Sequence, residues 1–212
     1  MNLDLFVDTS RKGISMGLSD STSGIYQETV DASARGETAS AILDELLTRV
    51  GATLDDVKRV MVTVGPGSFS GLRTGVAFCQ GICFSGKRNL YGVSTLQALE
   101  CFAPKEKQDN IAVLIKARNG YWYLRHDAQE SFISTEDALA KLNDNEPSAM
   151  VIDDAALADE SIALFIREKG VLTINEKNQP LSAWAPLFDS IPASLIQEAN
   201  YIQPSYFEKL QK

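Results

Sequence analysis

Residues Arg59 to Val64 form a short, β-branched apolar run that passes directly into Gly65-Pro66-Gly67-Ser68-Phe69-Ser70-Gly71-Leu72-Arg73-Thr74-Gly75. No other feature limits the fold so tightly. A strand apolar on both sides must be covered on both faces, and in an α/β sheet that means a parallel neighbour. The glycines beside it open backbone angles closed to other residues, so the chain can turn straight from strand to helix. The helix expected over Leu72 to Ser85 would point its N-terminal N–H groups at that loop, where an anion could sit. The segment has neither the Lys-Ser/Thr ending of a P-loop nor the spacing of a dinucleotide fingerprint. Two readings stay open: a tight structural turn, and a phosphate or nucleotide cradle with Asp8, Gly65, Gly67, Ser68 and Gly71 as its candidate residues.

Around this segment the chain falls into two strand-first halves. Leu3 to Thr9, the alternating Ile14, Met16 and Leu18, and Ile25 to Val30 read as three strands, with turns marked by Gly13 and Gly24. Ile42, Leu43, Leu46, Leu47 and Val50 keep a helical period between Glu37 and Val50, and Gly51 ends the run as a C-cap would. Asn89 to Val93 reads as a strand, and Ser94 with Gln97 has the spacing of a capping box. Ala103 to Asn110 is charged, contains Pro104 and reads as a linker. The pattern then restarts with a strand at Ile111 to Ile115, a tight turn at Asn119-Gly120 and a return strand at Tyr121 to Arg125. A helix at Glu136 to Leu142, a strand at Met150 to Ile152, a helix from Leu157 to Lys169 and a strand at Val171 to Ile174 follow. Beyond Pro180, Pro186 and Pro192 break any single long helix. The expected class is α/β with two lobes, residues 1–102 and 103–212, each a mixed sheet with helices. The second lobe is expected to be the smaller and more divergent, with its tail open to a return to the first.

Composition narrows the function. With 44% hydrophobic residues in 212, the chain can bury a real core. Its 28 Asp and Glu against 20 Lys and Arg leave a net charge of −8, which opposes binding to a polyanion. Strong direct RNA binding is not expected. Cys79, Cys83 and Cys101 are odd in number and no pair has the two-residue spacing of a zinc or redox motif, so no metal site is expected and the thiols read as buried and reduced. His126, between Arg125 and Asp127 at a strand end, reads as a surface residue with no serine or cysteine motif to serve. No apolar run approaches the length of about 18 residues that spans a membrane, and the start at Met1 to Val7 has no basic leader. A cytoplasmic protein without a membrane partner is expected.

The glycine-rich segment resembles the signature loop of the TsaB, or YeaZ, proteins. Val7-Asp8-Thr9-Ser10, Ile42-Leu43-Asp44-Glu45-Leu46-Leu47, Gly92-Val93-Ser94-Thr95-Leu96, Ala117-Arg118-Asn119-Gly120 and Pro204-Ser205-Tyr206-Phe207 extend the resemblance along the chain. It implies a fold like the actin and heat-shock ATPases (ASKHA) and a non-catalytic subunit that binds a TsaD homologue. In that family TsaD carries the metal and transfers threonylcarbamoyl to the tRNA adenosine beside the anticodon, and a TsaE homologue supplies an ATPase in a larger complex. No cofactor is expected in the isolated chain, and a nucleotide at the interface is left open. The residues agree with lost catalysis: neither Asp8-Thr9-Ser10 nor Ile152-Asp153-Asp154-Ala155 contains the glycine of an ATPase phosphate turn. Arg35, Lys116 and Glu208 stand where many relatives have histidine, aspartate and arginine, which bears on any ligand site that used those positions.

A partner surface is expected on the helices at Glu37 to Val50 and Leu72 to Ser85. The second carries small residues at Gly71, Gly75, Ala77, Gly81 and Ser85, and spreads Val76, Phe78, Ile82 and Phe84 around its circumference. Candidate contact residues are Ile42, Leu46, Leu72, Gly75, Val76, Cys79, Ile82 and Cys83. The alternative is that the monomer covers this helix itself. Self-association through the same surface gives a homodimer when the chain is alone. The rival from another class is a nucleotide-dependent enzyme of the actin-like fold, or the peptidase this superfamily has been called.

Overall fold

The computed structural model describes residues 1–20, 25–31, 36–107 and 110–202, and they divide into two compact units. Unit 1 comprises Met1–Thr95 and Pro180–Tyr201, and unit 2 runs from Leu96 to Gln179 and takes in Ile202. The division therefore falls before the charged linker rather than at it.

Unit 1 is built from β1 (Leu3–Asp8), β2 (Ile14–Asp20), β3 (Ile25–Asp31), α1 (Ala39–Arg49), β4 (Val57–Gly65), α2 (Phe69–Cys83) and β5 (Asn89–Ser94). Its sheet has the order β3-β2-β1-β4-β5, with the first three strands antiparallel and β4 and β5 parallel to β1. The parallel neighbours expected for the apolar run at 59–64 are thus β1 and β5. Leu5, Val7, Val60 and Val62 pack with Ile42, Leu46, Val76 and Cys79 from the two helices. The intervening Phe6 and Tyr91 meet Trp184 and Phe188, with ring centroids 4.8 to 6.3 Å apart. Those two rings come from a 3-10 run, Leu181–Asp189, which a sequence pattern broken by Pro186 did not reveal. Arg59 stacks on Phe188 at 4.2 Å and makes two 2.7 Å hydrogen bonds to Asp4, so the charge is satisfied where the sheet is covered.

The chain after the 3-10 run lies along β5, the edge of this sheet. Ser194 N–H donates to the Leu90 carbonyl at 2.8 Å, Asn200 N–H donates to the Val64 carbonyl at 2.6 Å, and Gln80 donates to the Gln197 carbonyl at 3.2 Å. A β-carbon at Gly92 would stand 2.0 Å from Gln197 Oε1, so a larger residue there would make the Gln197 side chain of this strap give way. The Ser194 bond occupies one backbone acceptor on that edge.

Unit 2 repeats the plan. β6 (Ile111–Arg118), β7 (Tyr121–His126), β8 (Gln129–Ser134), α4 (Thr135–Asp144), β9 (Ala149–Ile152), α5 (Asp154–Ala158), α6 (Glu160–Lys169) and β10 (Leu172–Asn175) follow α3 (Thr95–Glu100), which crosses the boundary between the units. The sheet order β8-β7-β6-β9-β10 reproduces that of unit 1 strand for strand, with the same parallel and antiparallel pairings. One mixed sheet with helices in each of two units, on a shared strand order, is the actin-like plan. Trp122, Leu124, Met150 and Ile152 form the core of unit 2 with Ala138, Leu142, Ile162 and Phe165, and Trp122 donates its indole N–H to Thr135 Oγ1 at 2.9 Å.

Two elements depart from the sequence pattern. The expected helix from Leu157 to Lys169 is two helices, broken at Asp159, whose carboxylate caps α6 by accepting from the N–H groups of Ser161 and Ile162. Strand β8 was not expected at all. His126 is buried rather than exposed, facing the Trp122 and Leu124 side of β7, with Nε2 3.0 Å from Asn110 Oδ1. The calls on Gly24, Arg35, Glu208 and Pro204 to Phe207 lie outside the described residues. Among the described residues no helix is long and apolar enough to cross a membrane.

Candidate functional site: a cationic cleft and the outer face of α2

Strand β4 ends in the glycine-rich loop, and the loop ends at Ser68, whose side chain accepts from the Gly71 N–H at 3.3 Å as the N-cap of α2. This starts α2 at Phe69, earlier than the helical pattern alone indicates. The turn between β1 and β2 is seated on this helix start. Ser68 N–H donates to the Ser10 carbonyl at 2.7 Å, and β-carbons at Gly67 and Gly71 would stand 2.3 and 2.2 Å from the carbonyl oxygens of Ser10 and Thr9. These glycines are needed for that approach. Gly65 serves the other side of the loop: at φ +119° it faces the Asn200 carbonyl of the strap.

Between the β1–β2 turn and the first turns of α2 lies a cleft of about 410 Å³, with Arg11, Lys12, Ser68, Ser70, Gly71 and Thr74 among its walls. Arg11 and Lys12 are its charged residues; no carboxylate belongs to the lining among the described residues. Thr9 also lines it. That residue is 3% exposed, and its hydroxyl has no hydrogen-bond partner. Of the five phosphate candidates read from the sequence, Ser68 and Gly71 stand at this cleft, whereas Gly65 and Gly67 pack against backbone. Asp8 is held in its own turn: its Oδ1 accepts from the Ser10 N–H and from Thr63 Oγ1, both at 2.8 Å. The residues sequence reasoning passed over are Thr9, Arg11, Lys12, Ser70 and Thr74. The adjacent Arg11-Lys12 pair in an acidic chain was the available signal.

The other side of α2 faces outward. Phe69, Arg73, Ala77, Gly81 and Phe84 are exposed, Phe69 by 58% and Phe84 by 81%. A β-carbon at Gly81 would meet nothing within 4 Å, while one at Gly75 would stand 2.1 Å from Thr9 Oγ1. This corrects the partner residues read from the sequence. Ile42 and Leu46 on α1 and Leu72, Gly75, Val76, Cys79 and Cys83 on α2 are buried inside unit 1, and only Ile82 of that set is partly exposed. The small residues of α2 serve two faces: Gly71 and Gly75 admit the β1–β2 turn, and Ala77 and Gly81 lie outside. Burial pushes the Cys83 and Cys101 thiols up to about 11 and Cys79 well above its ordinary value, which favours the neutral thiol at neutral pH.

The family model for TsaD, tRNA N6-adenosine threonylcarbamoyltransferase, matches residues 27–178. Among curated relatives, the tRNA threonylcarbamoyladenosine biosynthesis protein TsaB of Buchnera aphidicola is 32% identical over 107 residues, which is 48% of this chain and 51% of that protein. The protein of the same name from Escherichia coli is 33% identical over 84 residues, 38% of this chain and 36% of its own length. The matched stretch thus spans about half or less of these relatives. A solved structure described as an uncharacterized protein with similarity to peptidase YEAZ, from Pseudomonas aeruginosa, aligns with TM-score 0.71 at 19% identity, over 96% of this chain and 100% of that one. That likeness concerns the fold. The chain belongs to the family that the TsaD model describes, and within it to the TsaB, or YeaZ, proteins.

Proposed function

We propose that this chain is a non-catalytic subunit that binds and supports a TsaD-type transferase as it modifies the tRNA adenosine beside the anticodon with threonylcarbamoyl. The names of the relatives point to that pathway. The observation that carries the binding role is the outer face of α2, where two exposed phenyl rings flank Ala77 and Gly81. Small residues between apolar anchors let a partner helix approach closely, and exposed aromatic side chains are the usual anchors of an interface. A related partner has a comparable helix to offer, and a second copy of this chain has the same one. A homodimer should therefore compete with the TsaD complex, and a TsaE-type ATPase would join the larger assembly elsewhere.

Gly81→Arg tests the reading, because the added side chain meets nothing within the unit. Folding should be unchanged by circular dichroism. Capture of a TsaD homologue should weaken about fivefold to a hundredfold, since overpacking a close contact costs roughly 1 to 3 kcal/mol. Capture at wild-type strength by folded Gly81→Arg and Ala77→Arg variants would put the interface elsewhere.

A further inference from the structure

We propose that the strap, residues 190–201, is a second contact surface for the TsaD-type partner, an inference that rests on the docking role of the outer face of α2. Five of the eleven large hydrophobic residues exposed among the described residues lie on the strap or on α2 and its C-cap: Phe69, Phe84, Leu195, Ile196 and Tyr201. Two short segments of the chain thus carry nearly half of its exposed large apolar side chains, and apolar surface gathered in this way marks an interaction site. None of residues 190–201 is buried, so the strap adds little to the core of unit 1.

The strap's exposed residues are held outward by specific bonds. Ser194 N–H donates to the Leu90 carbonyl of β5, and the Gln80 side chain of α2 donates to the Gln197 carbonyl, so the chain is pinned on both sides of Leu195 and Ile196. Between the pins it bends and closes on itself: Ser194 Oγ donates to the Ile196 carbonyl at 3.0 Å and Gln197 Nε2 to the Ser194 carbonyl at 2.8 Å. Leu195 and Ile196 are 41% and 76% exposed within that bend. Holding an apolar pair in water is unfavourable until another surface covers it. Further along, Tyr201 stacks on Phe69 with ring centroids 4.8 Å apart and planes at 29°, and Arg73 lies over the same ring at 5.4 Å. Phe69 is the first residue of α2 and one of the two rings of its outer face, so the strap holds an anchor of that face in position. An anchor fixed before binding loses less freedom on docking. A partner helix on α2 is therefore helped by the strap twice, through contact with Leu195 and Ile196 and through a fixed Phe69.

The test uses the intact chain and a TsaD homologue. Hydrogen exchange of the backbone amides over 190–201 should slow when the homologue is bound. Ile196→Asp, at an exposed position, should leave folding unchanged by circular dichroism and weaken capture about tenfold, because a charge that must be desolvated replaces an apolar contact. Tyr201→Ala should weaken capture about twofold to tenfold, the worth of one aromatic pair. Wild-type capture by folded Ile196→Asp, or exchange over the strap that the homologue does not change, would overturn the proposal; if Gly81→Arg is still weakened, the docking role of α2 stands without it. Weaker capture by Ile196→Asp with wild-type capture by folded Gly81→Arg and Ala77→Arg would support the strap as a contact and move the rest of the interface off α2. If Ile196→Asp lowers the dimer fraction of the chain alone and leaves capture unchanged, the strap serves a second copy of this chain and the proposal fails.

Discussion

In unit 1 the fourth strand runs into a helix of fifteen residues with a serine cap and a glycine-rich approach; in unit 2 the matching strand runs into a helix of five residues with an aspartate cap. The strand order and pairings are otherwise the same. One plan therefore supports two kinds of helix start. The long helix of unit 1 exposes an outer face and has at its head a cleft with Arg11 and Lys12 on its wall. The short helix of unit 2 is sealed by the chain's own carboxylate and is followed at once by α6, which fills the core with Ile162 and Phe165. The difference teaches that one strand order accommodates a helix start capped by a neutral serine in one copy and by a buried carboxylate in the other.

The largest effect expected from breaking this contrast is at Gly75. The β1–β2 turn presses on α2 there, so even a β-carbon collides with Thr9, and Gly75→Arg should destabilise unit 1 by about 3 kcal/mol or more. Trp184 and Trp122 are the two tryptophans, one buried in each unit, so each can report on its own unit when the other is replaced by phenylalanine. Denaturation of Gly75→Arg followed by Trp184 should shift far below wild type, while the Trp122 signal from unit 2 should shift less. Unshifted unfolding of unit 1 would mean that the turn can leave the helix at little cost.

Capping comes next, and it compares the two units directly. Asp153→Ala removes a buried carboxylate that accepts from two backbone N–H groups, and should cost unit 2 about 2 to 3 kcal/mol. Ser68→Ala removes one neutral cap bond of 3.3 Å and should cost unit 1 about 1 kcal/mol or less. Equal losses, measured as denaturant midpoints, would deny that unit 2 depends on its internal anion more than unit 1 depends on its serine.

The fold was legible wherever pattern and structure share one cause. The run at 59–64 had to be a covered parallel strand, and the Asn119-Gly120 turn with its flanking strands could be read outright because both follow from local sterics. Strand β8 was missed because its hairpin turns on Asp127 and Ala128, at φ 52° and 58°, and an alanine gives no sign that it will take a left-handed conformation. The break between α5 and α6 was missed because the apolar period runs on through Asp159. At the site, Ser68 and Gly71 could be read because glycine and a capping serine have local meaning. The exposed and buried faces of α2 could not be told apart from the sequence: Gly75 and Gly81 look alike until the β1–β2 turn is seen to lie on one of them. Lys12 and Thr9 belong to the site only through a contact between segments far apart in the chain.

The smallest expected effect separates the units by pH. His126 is the chain's single histidine and lies in unit 2. Asn110 donates its Nδ2 to the Glu146 carbonyl at 2.7 Å, which turns Oδ1 toward His126, so Nε2 carries the proton and Nδ1 is the site that titrates. Burial disfavours the imidazolium and holds the folded pKa below the ordinary value of 6.5, with Lys141 adding to the depression and Asp127 opposing it. Below that ordinary value the unfolded chain takes up a proton more readily than the folded one. Unit 2 should therefore lose stability as pH falls from about 6.5 through the folded pKa, and the contribution is fully present above it. His126→Gln removes the titration, so the difference between wild type and variant in the unit 2 midpoint isolates this group from the carboxylates. That difference should change between pH 7.5 and 5.5 with the wild type losing more, and the midpoint reported by Trp184 from unit 1 should show no such difference. A difference that stayed constant with pH would mean that the imidazole is protonated as readily in the fold as out of it, and that the Asn110 contact does not keep it neutral.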